Sequence, residues 1–95
     1  MKAAPIVRFR LYVTGDGPNS SLAVANLKAL CQAHLAKRHQ IEIIDLLLHP
    51  DRALEDQVML TPTLVKLSPR PVRRVIGNLS QEATVLQACG LTVSR

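Results

Sequence analysis

From Ile6 to Val13 apolar and polar residues alternate, placing Val7, Phe9, Leu11 and Val13 on one face and Arg8, Arg10 and Tyr12 on the other. That period predicts a strand with one face buried. Gly15-Asp16-Gly17-Pro18 ends it, and Asn19, Ser20 and Ser21 offer oxygens to the backbone N–H groups of a helix start. Ala23, Leu27, Leu30, Cys31, His34 and Leu35 then recur at three and four residues, so the helix should run to about Lys37. Lys28, Gln32 and Arg38 point elsewhere. Ile41 to Leu48 is a nearly continuous branched-chain run interrupted by Glu42 and Asp45, the pattern of a strand covered on both faces.

A strand, helix and strand of these lengths imply a right-handed parallel crossover. Pro50 suits a first helical turn and Asp51 the positive end of its dipole, which predicts a short helix from Asp51 to Met59 ending before Pro62. Thr63–Leu67 and Val72–Ile76 are β-rich segments around Ser68-Pro69-Arg70-Pro71, a hairpin with a proline-stiffened loop. Ser80 is placed to cap a last helix through Glu82, Val85, Leu86 and Cys89, which Gly90 ends. The order βαβαββα is that of an α/β, thioredoxin-like fold.

The chain has 95 residues, which fits a single domain spanning 1–95 with an ordered core over about 6–91. A chain of this size buries only about two thirds of its unfolded surface. Hydrophobic residues make up 47% of it, yet Phe9 and Tyr12 are the only aromatics, so the core must be aliphatic. Twelve Lys and Arg against seven Asp and Glu give a net charge of +5, which steers toward acidic partners. Nucleic acid is disfavoured, because single-strand binders add aromatic platforms for base stacking. An acidic protein surface fits better. Arg8 and Arg10 break the early apolar run, and no span approaches bilayer length, so a cytoplasmic protein without membrane contact is expected.

In thioredoxin-like enzymes the reactive cysteines occupy the turn between the first strand and the helix after it, where the helix start lowers their pKa. Here that turn reads Asp16-Gly17-Pro18-Asn19, without sulfur. Cys31 and Cys89 are far apart in sequence and read as small apolar side chains on helices, reduced in the cytosol. Thr61-Pro62-Thr63 resembles the proline that faces the turn, which supports the fold and not the activity. His34 falls on the inner helix face, where a packed, hydrogen-bonded role is expected. His34, His39 and His49 match no catalytic or zinc spacing, and Gly15-x-Gly17 is too short for a phosphate fingerprint. Asp45, Asp51, Glu55 and Asp56 could form a carboxylate cluster, but a solvated helix start explains most of them. No enzyme activity, metal or cofactor is expected.

Leu11-Tyr12-Val13, Gly15, Pro18-Asn19-Ser20, Ile44-Asp45, Pro50, Asp56, Thr61-Pro62-Thr63-Leu64, Lys66, Pro69, Pro71-Val72-Arg73-Arg74, Ile76-Gly77 and Leu79-Ser80 recur in order and spacing. On these residues, over roughly 6 to 91, the chain resembles the KaiB family, fold-switching components of the cyanobacterial circadian clock. The resemblance implies an adaptor that binds the N-terminal ATPase domain of a KaiC-like hexamer and regulates its phosphorylation cycle and output. KaiA, SasA-like and CikA-like proteins are the further partners it implies. Lys66, Arg73 and Arg74 match basic positions of the family and are the partner-contact candidates. Neighbouring strand residues face opposite ways, so Arg73 and Arg74 cannot both serve one flat face. Edge protection is the competing role for these charges.

The resemblance also implies two folds, a ground state that is often a homotetramer and a monomeric thioredoxin-like state that binds KaiC. Pro62, Pro69, Pro71, Ala88 and Gly90 are the implied determinants of the choice. Ala83, Leu86, Gln87 and Ala88 favour helix, and relatives often carry glycine where Ala88 stands, an exchange worth roughly 1 kcal/mol in a helix interior. The thioredoxin-like, binding-competent state is therefore expected to dominate, with a monomer favoured. Relatives often carry basic residues where Leu22, Ala25 and Gln57 stand, and many carry an acidic tail where this sequence stops at Arg95. Two rival roles are an interaction module in stress or two-component signalling and a redox enzyme.

Overall fold

A computed structural model of the chain describes residues 5–91. The expectations for the first residues and for the tail ending at Arg95 lie outside the described residues. The elements are β1 (Val7–Val13), α1 (Pro18–His34), β2 (His39–Asp45), a 3-10 helix (Pro50–Leu54), β3 (Thr63–Ser68), β4 (Arg73–Ile76) and α2 (Glu82–Ala88). One four-stranded sheet runs in the order β2-β1-β3-β4. β1 is parallel to β2, as the crossover predicted, and antiparallel to β3, which pairs antiparallel with β4.

The expected buried face of β1 is present. Val7, Phe9, Leu11 and Val13 pack with Ala23, Leu27, Leu30 and Cys31 of α1 and with Val85 and Leu86 of α2. The opposite face of β1 is also partly covered, contrary to the one-sided expectation. Tyr12 is fully buried there with Ile44 and Val65, under Leu46, Val58 and Leu67. Register explains the grouping, since Tyr12 lies opposite Ile44 and Thr63, and Arg10 opposite Glu42 and Val65.

Several local expectations are corrected. Pro18 takes the first helical position of α1, so the cap falls on Gly17 and no side chain caps it. Ser20 instead accepts a hydrogen bond from the Thr14 amide at 3.2 Å, and Ser21 donates to the Asp16 carbonyl. α1 stops at His34, and Lys37 adopts a left-handed φ of 62°. β2 is an edge strand that ends at Asp45, and most of it is not buried: Ile41 is only partly covered by the helix-side core, Ile43 is exposed, and Ile44 alone is buried in the second cluster. The Asp51–Met59 helix shrinks to one 3-10 segment. Of its apolar residues Val58 packs on the Tyr12 cluster, while Leu54 and Met59 are exposed, Met59 by 93%. α2 begins at Glu82 with Gln81 at the cap, while the Ser80 amide donates to Asn78 Oδ1.

Gly90 ends α2 as expected. Its φ is 71°, its amide donates to the Gln87 carbonyl, and the Leu91 amide reaches the Leu86 carbonyl at 2.8 Å. These two bonds form a Schellman motif, which places glycine in the left-handed position that side chains disfavour. No helix among the described residues is long and apolar enough to cross a membrane.

Candidate functional site

In the turn after β1, Asp16 and Asn19 stand where a thiol enzyme would hold sulfur. Thr14 Oγ1 lies 2.6 Å from Thr61 Oγ1, next to the cis Thr61–Pro62 peptide. Asp45 holds the turn, its Oδ1 accepting the Gly15 amide at 3.0 Å and the Leu47 amide at 2.9 Å. Those two backbone bonds lower the pKa of Asp45. Gly15 has a φ of 60°, and a Cβ there would stand 3.2 Å from Leu47 Cδ1. Glycine therefore suits both the conformation and the space.

Both cysteines are free and buried in the core, away from the turn. Burial, with the neighbouring Cys89, pushes the Cys31 thiol up to about 12. Burial likewise raises Cys89, against the opposing effect of Lys66 and Arg73. Both thiols are fully buried and lack the accessible setting that a nucleophilic cysteine needs. His34 is packed and hydrogen-bonded as expected, its Nε2 lying 2.7 Å from Glu82 Oε2 and joining α1 to α2. Spacing alone did not reveal this carboxylate partner. Its Nδ1 is buried without a partner, so the pair activates no hydroxyl or thiol. No group of three potential metal ligands occurs among the described residues.

A second constellation was not anticipated as a unit. Arg10 donates through Nε to Glu42 at 3.0 Å and through Nη1 to Asp56 at 2.9 Å. Tyr12 donates its hydroxyl to Asp56 at 2.5 Å, and Arg52 pairs with Glu42 and Glu55. Partial burial opposes the Arg10 cation, but its bonds to Asp56 and Glu42 outweigh that and raise its pKa. Asp56 is thus a partly buried tie between β1 and the 50–60 segment, and not part of a solvated cluster. No sequence spacing marks it, because its partners are remote in the chain.

The three cationic contact candidates separate cleanly. Lys66 is only 3% exposed and donates through Nζ to the Pro69 carbonyl at 2.7 Å. It lies on the helix side of the sheet and holds the hairpin loop, so in this conformation it presents no surface to a partner. Arg73 and Arg74 are both exposed and, as the strand period requires, face opposite ways. Arg74 anchors the neighbouring loop, donating to the Asp56 carbonyl at 2.7 Å and the Gln57 carbonyl at 3.4 Å. Arg73 makes no ion pair among the described residues. Pro69 and Pro71 both follow cis peptide bonds in the intervening loop.

Around this hairpin the chain is one-signed. Residues 57–81 contain Lys66, Arg70, Arg73 and Arg74 and no Asp or Glu. Met59, Leu60, Val72 and Ile76 are exposed on or near the same edge. Met59, Leu60, Arg74 and Ile76 line a shallow groove beside β4. Apolar anchors with a cationic border are a composition found at protein interfaces.

Residues 10–91 match the KaiB domain family. Circadian clock protein KaiB3 of Synechocystis sp. is 46% identical over 77 residues, covering 81% of this chain and 76% of that protein. Circadian clock oscillator protein KaiB of Synechococcus elongatus is 43% identical over 77 residues, with the same coverage of 81% and 76%. Among solved structures, the N-terminal domain of Synechococcus elongatus SasA superposes with a TM-score of 0.74 at 20% identity, covering 100% of this chain and 93% of that one. Mitochondrial thioredoxin 3 of Saccharomyces cerevisiae gives a TM-score of 0.70 at 17% identity, covering 90% and 78%. At these identities the two structures establish a shared thioredoxin-like fold and nothing further.

Proposed function

The chain belongs to the KaiB family, and from that premise we propose that it is a non-enzymatic clock-type adaptor for a KaiC-like ATPase hexamer. The family match over residues 10–91 carries this reading. Two features of the molecule support it. The thioredoxin-like turn holds Asp16 and Asn19 in place of cysteines, and the exposed groove beside β4 is bordered by cations. The adaptor works in the cytoplasm and docks on the N-terminal ATPase ring through the second half of its sheet. Arg73 is its free contact charge, Arg74 a contact that also shapes the 56–57 loop, and Lys66 a support of the hairpin.

SasA-like proteins are competitors in this reading, because a domain of the same fold can occupy the same docking surface. KaiA and CikA-like proteins are recruited once the ring is engaged. The thioredoxin-like conformation, as a monomer, is the state that acts. The helix at 82–88 and its glycine stop support that assignment.

Co-migration of the chain with a KaiC hexamer in ATP tests the proposal. A complex at low micromolar concentration is expected, and none at high micromolar concentration would replace the clock reading with an interaction module outside a clock. The rival reading on the same fold is a redox enzyme. Insulin reduction with a thiol cofactor separates it, and sustained turnover would overturn the adaptor assignment.

A further inference from the structure

β4 pairs with β3 alone, and its other edge is unpaired among the described residues. The Gly77 amide donates to the Pro62 carbonyl at 2.9 Å, one step beyond the Thr63–Ile76 pair of the β3–β4 ladder. Bonded and non-bonded pairs alternate along an antiparallel ladder. Val75 and Arg73 therefore turn their backbone groups toward β3, while the N–H and C=O of Arg74 and Ile76 point to the open edge. The side chains of Arg74 and Ile76 share one face, on which Met59 and Leu60 complete the groove. Arg73 stands on the other face.

Such an edge is a template for another strand, and natural proteins commonly guard it with charge. Here the guard has a single sign, since residues 57–81 hold four cations and no carboxylate. It repels a cationic strand and attracts an acidic one.

We propose that the open edge of β4 receives an added strand from a partner protein. That strand places an apolar residue against Ile76 and Met59, an acidic residue against Arg74 on the same face, and a second acid against Arg73. Main-chain bonds supply affinity and the alternating side chains supply selectivity, as in other strand-addition modes. This deepens the adaptor reading and rests on it only in taking the occupant to be a protein.

The test is an amide-resolved NMR titration of the isotope-labelled chain with a short, end-capped synthetic peptide containing Val-Thr-Glu-Glu, in which Val and the first Glu share the face that meets Ile76 and Arg74 and the second Glu meets Arg73. A peptide with Lys for Glu, vesicles containing phosphatidylserine, and single-stranded DNA run in parallel. Saturable shifts centred on Arg74 and Ile76 are expected with the Glu peptide alone. Ile76→Pro should bind it roughly fivefold more weakly than Ile76→Ala, because proline removes one outward donor and leaves the β3 ladder intact. Arg73→Glu should narrow the preference for the Glu peptide over the Lys peptide, and Arg74→Glu in addition should reverse it.

No saturable shifts at millimolar peptide, shifts centred on β2, equal binding by Ile76→Pro and Ile76→Ala, or binding of vesicles or DNA in place of peptide would each overturn strand addition. A KaiC-ring complex unaffected by Ile76→Pro would also overturn it while the adaptor reading stands. Peptide binding without any ring complex would support strand addition and remove the adaptor reading.

Discussion

Arg10 and Asp56 are 46 residues apart in sequence and 2.9 Å apart in space, with 21% and 14% of their side chains exposed. Through this pair, and the Tyr12 hydroxyl on the same carboxylate oxygen, β1 holds the 50–60 segment on the open face of the sheet. The Asp56 and Gln57 carbonyls then accept Arg74 of β4. One partly buried ion pair thus connects the middle of the sheet to the edge on which partner docking is proposed.

Asp56→Ala should destabilise the chain by about 1–3 kcal/mol, because it leaves the Tyr12 hydroxyl and one Arg10 donor without their partner. Glu42→Gln should cost less than about 1 kcal/mol, since that carboxylate is half exposed and its pairs are screened. Urea unfolding of both variants measures the difference. Equal losses would mean that Asp56 is not the tie inferred from its geometry.

Tyr12 is the only tyrosine and the chain has no tryptophan, so ultraviolet absorbance follows one phenol. Burial, then the bond to Asp56, pushes Tyr12 up to about 12 from an ordinary 10.0. A group whose folded pKa is raised contributes stability that is complete below the unfolded value and lost as pH rises through the folded one. The native chain should therefore titrate near 12 and lose this contribution from pH 10.0 upward. Asp56→Asn should move the midpoint downward.

Acid should act through Glu42 and Asp45. The bond from Arg10, together with Arg52, lowers Glu42, and the Gly15 and Leu47 amides lower Asp45. Depressed carboxyl groups contribute stability above their unfolded pKa and lose it as pH falls through the folded one. The loss should begin near the ordinary values of 4.5 and 3.8 and continue below them. Melting temperature against pH, with Asp45→Asn flattening the acid limb, checks the sign.

Arg73 and Arg74 should separate contact from scaffold. Arg73→Ala has no described pair to break and should leave the melting temperature unchanged while weakening ring binding about fivefold, the scale of one charge contact. Arg74→Ala removes two carbonyl bonds of the 56–57 loop and should lower both stability and binding. Calorimetric melting beside co-migration with the KaiC ring distinguishes them, and identical behaviour would remove the division of labour.

Much of this arrangement was legible in the residue pattern. The β1 alternation, the α1 stripe, the hairpin and the Gly90 stop all appear in place. What failed has a common cause. β2 looked covered on both faces, yet whether a branched-chain strand is central or at an edge depends on strand order, which composition does not encode. The expected 51–59 helix had helix-compatible residues but no partner surface for Leu54 and Met59, so one 3-10 segment remains. Lys66 read as a contact because it matches a basic position of the family. Its carbonyl partner on Pro69 exists only once the hairpin closes. The Asp56 tie was invisible for the same reason, its partners being distant in the chain.

The end of α2 offers the sharpest test of which conformation prevails. Ala88 is the last residue of α2 and not an interior one, so the preference of alanine over glycine there is worth less than the roughly 1 kcal/mol of a helix interior. Gly90 sits at φ 71°, where a residue with a Cβ is penalised by about 1–2 kcal/mol. Gly90→Ala should therefore loosen the Schellman end more than Ala88→Gly does, even though alanine is the better helix former. If two folds compete within a few kcal/mol, Gly90→Ala is the variant that should raise the population of the other. Backbone chemical shifts of residues 85–91, with oligomeric state by light scattering, report the balance. Helical shifts are expected in the unmodified chain. Strand shifts there would show that the alternative fold is its resting state.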